Sequence, residues 1–181
     1  LITHVHVDHT ADLIALFKSA SFSDRRDPMP VVGPTGDARF PGTTPFLSAL
    51  LGPHGAWRYL GCYLEADGQP FRLEPREIDT AGPGESLEID GLRVDAVGVP
   101  HGPVPALGYV VHVDGARVAF TGDQRMDDPR FQTLARGVDL LVAHHAIAEG
   151  SRGAAANLHA TPSEIGALAD AVDAGRLVLS H

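Results

Sequence analysis

The stretch Thr3-His4-Val5-His6-Val7-Asp8-His9 decides how the rest of the chain is read. It sets three imidazoles and a carboxylate within one short length of backbone. If Leu1 to Val5 runs as a strand, side chains alternate by face and His4 and His6 project the same way. Asp8 and His9 then follow as the chain turns toward a helix expected over Thr10 to Ala20. Two adjacent ligand pairs result, His4 with His6 and Asp8 with His9, which suits two metal ions rather than one. Imidazole and carboxylate donors without thiolate fit Zn²⁺ or a similar divalent ion in an open, catalytic site, because structural zinc more often uses cysteine. The plainer alternative is a histidine-rich surface loop, and four ligand-type residues at this spacing weigh against it.

Working outward from the motif, Leu13, Ile14, Leu16 and Phe17 supply one apolar face of the Thr10 to Ala20 helix. Ser21 to Met29 reads as a polar loop, and Pro30 to Gly33 as a short buried strand broken by Gly33-Pro34-Thr35-Gly36. A second helix carries Phe46, Leu47, Leu50 and Leu51. Periodicity does not decide Gly52 to Gly68, whose Trp57, Tyr59 and Tyr63 fit the core better than a pocket lining. From Phe71 the pattern becomes strand-like, and Asp90-Gly91 and Asp114-Gly115 are two-residue hairpin signals. Asp128 to Ala135 suits a short helix, and Val138 to Ala143 a buried strand. Thr161-Pro162-Ser163-Glu164 has the form of a capping box with proline at the first helical position, and Arg176 to Ser180 reads as a last buried strand.

The further ligand-type residues fall where these strands end. They are His101 after Val99-Pro100, Asp123 in Thr121-Gly122-Asp123, His144 after Val142-Ala143, His159 ahead of the capped helix, and His181 after Leu179-Ser180. Taken singly, His101 is an ordinary strand-end histidine, Asp123 a turn residue and His159 a polar flank of the Thr161 cap. Together they converge on one rim. Glu164 is better explained as the capping partner than as an acid. His144 and His145 suit a supporting role around the ligands, and His54 and His112 suit surface or packing roles.

This ordered set, His4-x-His6-x-Asp8-His9, then His101, Thr121-Gly122-Asp123 and the terminal Leu177-Val178-Leu179-Ser180-His181, resembles the metallo-β-lactamase superfamily. Asp139-Leu140-Leu141-Val142-Ala143-His144 and His159-Ala160-Thr161-Pro162-Ser163-Glu164, with Gly33-Pro34 and Gly42-Thr43-Thr44, are similar to its ribonuclease Z and phosphodiesterase-like branch. The resemblance implies an α/β fold, a four-layer αββα sandwich over residues 1–181 as a single domain. It also implies that the strands normally preceding the histidine motif are missing, so that the chain is an N-terminally truncated fragment. Carried over by position, His4, His6 and His101 hold one metal, Asp8, His9 and His181 the other, and Asp123 bridges them. His159 matches the histidine that assists at the scissile phosphate, with Asp8 orienting the nucleophile. The implied cofactor is two Zn²⁺ per chain, with Mn²⁺ or Fe²⁺ as alternatives, since similar ligands accept each.

Water held between two such ions is nucleophilic at neutral pH, so a metal-dependent ester hydrolase is expected, with a small phosphodiester as substrate. Only one tight hairpin, Leu107 to Phe120, separates His101 from Asp123, whereas the tRNA-processing members of the family generally carry an extra substrate-gripping arm in that interval. Composition points the same way. The net charge is −9 and no basic cluster is visible, which makes extended nucleic acid a poor default partner. Ribonuclease Z-like tRNA 3′ processing, arylsulfatase-type hydrolysis and a non-catalytic metal-binding domain are the alternatives. With 44% hydrophobic residues, 20% charged residues and a single cysteine in 181 residues, the chain suits a globular domain without disulfides in a reducing, cytoplasmic setting. It shows no membrane span, and a homodimer is possible by analogy with relatives.

Overall fold

The computed structural model describes residues 1–181, which divide into two compact units, Leu1–Glu77 and Ile78–His181. No helix is long and apolar enough to cross a membrane.

In the first unit the histidine motif does not form the expected strand. Leu1 to His6 runs outside any ladder, and Ile2 donates its N–H to Val32 O at 2.7 Å. The expected helix is split into α1 (Val7–Thr10) and α2 (Leu13–Ala20). Strand β1 (Met29–Pro34) pairs with β2 (Leu73–Ile78), and α3 (Thr43–Leu51) follows β1. The undecided region holds a 3₁₀ helix, Arg58–Leu64. Ile2, Phe17, Val31, Leu47, Leu51, Leu60, Tyr63 and Phe71 form this unit's core. Of the three aromatic residues assigned to the core, only Tyr63 is buried, stacked on Phe71 with ring centroids 5.1 Å apart. Trp57 and Tyr59 are exposed. Trp57 instead borders a small apolar hollow of about 180 Å³ with Val5, Val7, Ile14, Phe46 and Leu50.

The second unit is built on a six-stranded sheet of β3 (Glu85–Ile89), β4 (Leu92–His101), β5 (Val104–Val113), β6 (Ala116–Phe120), β7 (Leu140–His144) and β8 (Leu177–Ser180), in that spatial order. Pairing is antiparallel from β3 to β6 and parallel from β6 to β8. Both hairpin signals hold. Asp90 and Gly91 have φ of 49° and 81°, and Asp114 and Gly115 repeat those values, as a two-residue turn that matches strand twist requires. Helices α4 (Pro129–Leu134), α5 (Ala154–Leu158) and α6 (Pro162–Ala171) complete the unit. The capping box is present in full: Glu164 accepts from the Thr161 N–H at 2.7 Å, and Thr161 Oγ1 accepts from the Glu164 N–H at 3.4 Å. One expectation fails. Strand β8 forms at the edge of the sheet, paired only with β7, but all four of its residues are exposed.

Val97, Val99, Val110, Phe131, Leu141, Ile165 and Leu168 are central to the second core. Phe131 is fully buried and lies flat on Gly108, where an added Cβ would come within 2.5 Å of the ring. Phe131→Ala would leave a cavity that this tight packing cannot collapse around, so denaturant unfolding should show a loss of about 3–5 kcal/mol.

Away from the histidine-bearing strand ends, Asp95 is 7% exposed and accepts from His112 Nε2 at 2.7 Å and Arg93 Nε at 3.1 Å. Burial alone would raise its pKa, but hydrogen bonds from Ser86, His112 and Arg93 outweigh this and hold the carboxyl below its ordinary value. A carboxylate with a lowered folded pKa contributes stability above its unfolded pKa, near 3.9, and loses that contribution as pH falls through the folded value. Asp95→Asn should therefore destabilise by about 1–3 kcal/mol at pH 7. Urea titrations at falling pH should show the gap between variant and parent closing below about pH 4.

Candidate metal centre

The first unit gathers the four residues of the opening motif. His6 occupies the N-cap of α1, its carbonyl accepting from Thr10 Oγ1 at 2.9 Å and from the His9 N–H at 3.1 Å. This turn folds His9 back so that its ring centroid lies 4.1 Å from that of His4. His4 is fully buried, and its Nε2 lies 3.1 Å from His6 Nδ1. Two imidazole nitrogens ligating one tetrahedral zinc at about 2.0–2.1 Å are separated by roughly 3.3 Å, so the spacing fits a shared cation. On the far side of the His4 ring, Nδ1 meets Thr3 Oγ1 at 3.1 Å, the kind of outer contact that fixes a ligand's tautomer. Asp8 Oδ2 lies 3.5 Å from His9 Nε2, and its side chain is 55% exposed. His4 thus lies near His6, and Asp8 near His9, by way of a helical turn rather than by strand alternation.

The second unit converges on Asp123, whose side chain is almost fully buried. Its Oδ2 lies 3.4 Å from His159 Nδ1, 3.4 Å from His181 Nε2 and 4.0 Å from His101 Nε2. Four different elements deliver these groups. His101 ends β4, Asp123 sits in the turn after β6, His159 follows α5, and His181 follows β8. The turn holding Asp123 needs Gly122 at φ 59°, and Met126, also left-handed at 65°, is anchored in the core. His101 Nδ1 lies 2.9 Å from Leu158 O. Since a carbonyl only accepts, Nδ1 carries the proton and Nε2 keeps its lone pair for a ligand. Gly102, at φ 57°, lets the backbone pass Leu158 closely, because a Cβ there would meet its Cδ2 at 2.6 Å. One ligand atom from each of His101, Asp123 and His159 lies within 4.8 Å of the others. An all-nitrogen-and-oxygen donor set, with a ligand imidazole oriented by a carbonyl, fits a divalent metal.

Sequence reasoning did not foresee the Leu158 contact, since a backbone carbonyl leaves no residue-type signal. Nor did it foresee how buried His144 would be. Its ring lies 5.3 Å from that of His159 and 6.2 Å from that of His181, and burial, opposed by Asp123, pushes its pKa down to about 4. His54 is exposed and His112 is engaged with Asp95, as their surface and packing assignments require. A cleft of about 850 Å³ lies around Asp95, His112 and Arg130 near the start of β4, at the other end of that strand from His101. Arg130 there is engaged by Asp128 and by Gly98 O, so the cleft is not the candidate centre.

The family described as "Beta-lactamase superfamily domain" matches residues 1–181. The chain belongs to the metallo-β-lactamase superfamily. Ribonuclease Z of Methanosarcina acetivorans is 28% identical over 99% of this chain and 68% of that protein. Ribonuclease Z of Exiguobacterium sp. is 30% identical over 99% of this chain and 69% of that protein. Among solved structures, the short form of human tRNase Z superposes with a TM-score of 0.73 at 23% identity, covering 99% of this chain and 70% of that one. The chain therefore spans about two thirds of the length of these relatives. Its fold is the α/β metallo-β-lactamase fold expected from the motifs, and its match along the whole chain to relatives named ribonuclease Z makes it a hydrolase acting on ester bonds.

Proposed function

We propose that this metallo-β-lactamase chain belongs to a binuclear zinc phosphodiesterase acting on a compact phosphodiester. The observations that carry the reading are, in the second unit, the buried Asp123 carboxylate faced by His101, His159 and His181 and, in the first unit, the His4, His6, Asp8 and His9 cluster. The ligand assignment follows the ordered motifs: His4, His6 and His101 for one ion, Asp8, His9 and His181 for the other, and Asp123 for both. The family match runs across both units, which supports treating them as one functional domain.

Divalent ions at such a centre supply Lewis acidity, an activated water and neutralisation of phosphoryl charge. The chain's own residues do the rest. Asp8, with an exposed carboxylate, accepts from the attacking water and orients it. His159, 16% exposed with Nδ1 turned to Asp123, donates a proton to the departing oxygen. His101, with its proton fixed on Nδ1, presents only a lone pair to the metal.

A compact substrate is favoured by the β5–β6 hairpin, closed by the two-residue turn Asp114-Gly115. It leaves no room between His101 and Asp123 for a gripping arm, and the net charge of −9 offers no field to draw a polyanion. The second reading, tRNA 3′ processing, is favoured by the curated relatives named ribonuclease Z. Comparing a cyclic nucleotide, an aryl sulfate and a precursor tRNA as substrates of the zinc-loaded full-length protein separates them. Preferential hydrolysis of the cyclic nucleotide is expected, and efficient tRNA cleavage would reverse the ranking. Two bound metals with no ester turned over would leave a non-catalytic metal domain.

A further inference from the structure

Arg93, His112 and Arg117 stand directly opposite one another on β4, β5 and β6. Adjacent strands lie about 4.8 Å apart, so three basic side chains form one row across the sheet. All three line the cleft of about 850 Å³ near the start of β4, as does Arg130 of α4. Like charges set opposite one another on a sheet cost stability, and the acidic residues lining the cleft are Glu85 and Asp95. Asp95 is the buried anchor of the row. It accepts from His112 Nε2 at 2.7 Å and from Arg93 Nε at 3.1 Å. Both side chains are thereby held by one end, which leaves His112 Nδ1 and the two Arg93 Nη groups for another partner. Arg117 gives its Nη groups to the carbonyls of Arg136 and Leu134, at 2.6 and 2.8 Å. Those acceptors are neutral and do not cancel its charge. Arg130 is taken by Asp128 and adds wall rather than charge.

We propose that this cleft is a second binding site, separate from the metal centre, for a small organic molecule bearing a phosphate or carboxylate group. The paired Nη groups of Arg93 match two oxygens of such a group in a planar fork, and Arg117 ends the row on the other side of His112. An oxyanion on His112 Nδ1 requires the ring in its imidazolium form, which the Asp95 carboxylate on Nε2 favours. The volume suits a whole small molecule, since ligand sites commonly span about 300–1,000 Å³, and Val97, Pro129 and Leu134 supply apolar lining for its organic body. A polyanion is a poor occupant, because the row is short and the chain carries a net charge of −9. Asp95 and His101 both lie on β4, separated along the strand by about 20 Å, so one small ligand cannot fill this cleft and the metal centre together. The proposal does not depend on the phosphodiesterase reading.

The test follows the His112 ring signal by NMR in the zinc-loaded full-length protein, at constant ionic strength, as inorganic phosphate or citrate is added. His112→Asn identifies the signal by its loss. A saturable shift is expected. If phosphate produces it, the ligand carries a phosphoryl group, and if only citrate does, a carboxylate; either result supports the site. Arg93→Gln, at a side chain 55% exposed, should weaken the affinity by about tenfold or more, as suits lost hydrogen bonds to a charged acceptor. Arg93→Lys keeps the charge without the fork and should bind with intermediate affinity; it carries the comparison if Arg93→Gln fails to fold. Arg72→Gln removes an exposed arginine that pairs with Glu74 outside the cleft and should bind as the parent does. No saturable shift at His112 with either probe would overturn the proposal, even if signals from the metal-centre histidines move. Parental affinity in both Arg93 variants would also overturn it, and so would an equal loss in Arg72→Gln, which would show bulk charge rather than a site.

Discussion

Asp123→Ala in the full-length protein should abolish hydrolysis of bis(p-nitrophenyl) phosphate and lower the bound metal. The side chain is buried, and its Oδ2 is the one oxygen approached by His101, His159 and His181. Removing it takes the sole carboxylate from the histidine cluster of the second unit and leaves those imidazoles facing one another. Without that negative charge, two adjacent divalent cations lose their strongest local compensation. Metal analysis after gel filtration should give well below the parental content, and turnover should be undetectable. Retention of both metals would refute the bridging role assigned to Asp123.

His159→Ala should leave metal content at the parental value while kcat falls by about 10²–10⁴, the usual range for loss of a positioned proton donor. The side chain is 16% exposed, so solvent and substrate reach it, and its Nδ1 lies 3.4 Å from Asp123 Oδ2. The size of the loss should depend on the departing group. A diester that releases p-nitrophenolate needs little protonation, whereas an alkoxide leaving group needs much. Measuring both should show a larger defect for the alkyl ester. Equal defects for the two would assign His159 to metal binding or substrate placement instead of proton transfer.

The features that were legible in the sequence share a local physical signature. The Asp-Gly turns announce themselves because only residues tolerant of positive φ close a two-residue hairpin, and Asp90, Gly91, Asp114 and Gly115 all adopt it. The Thr161 box was readable because both partners lie within one helical turn. His4 does lie near His6 and Asp8 near His9, but not through strand alternation, since Leu1 to His6 is not a strand. What escaped depended on partners distant in sequence. Nothing local distinguishes Tyr63, stacked on Phe71, from the exposed Tyr59. Nor does any motif mark β8, whose apolar residues resemble a buried strand but lie at a sheet edge. The Leu158 carbonyl that fixes the His101 tautomer lies 57 residues further along the chain and carries no signature at all.

The most direct test of the central claim is anomalous diffraction at the zinc edge from crystals of the full-length protein grown with zinc. Two anomalous peaks are expected, both within bonding distance of the Asp123 carboxylate, one also ligated by His4, His6 and His101 and the other by Asp8, His9 and His181. A single peak, or two peaks with Asp123 outside the coordination of both, would contradict it.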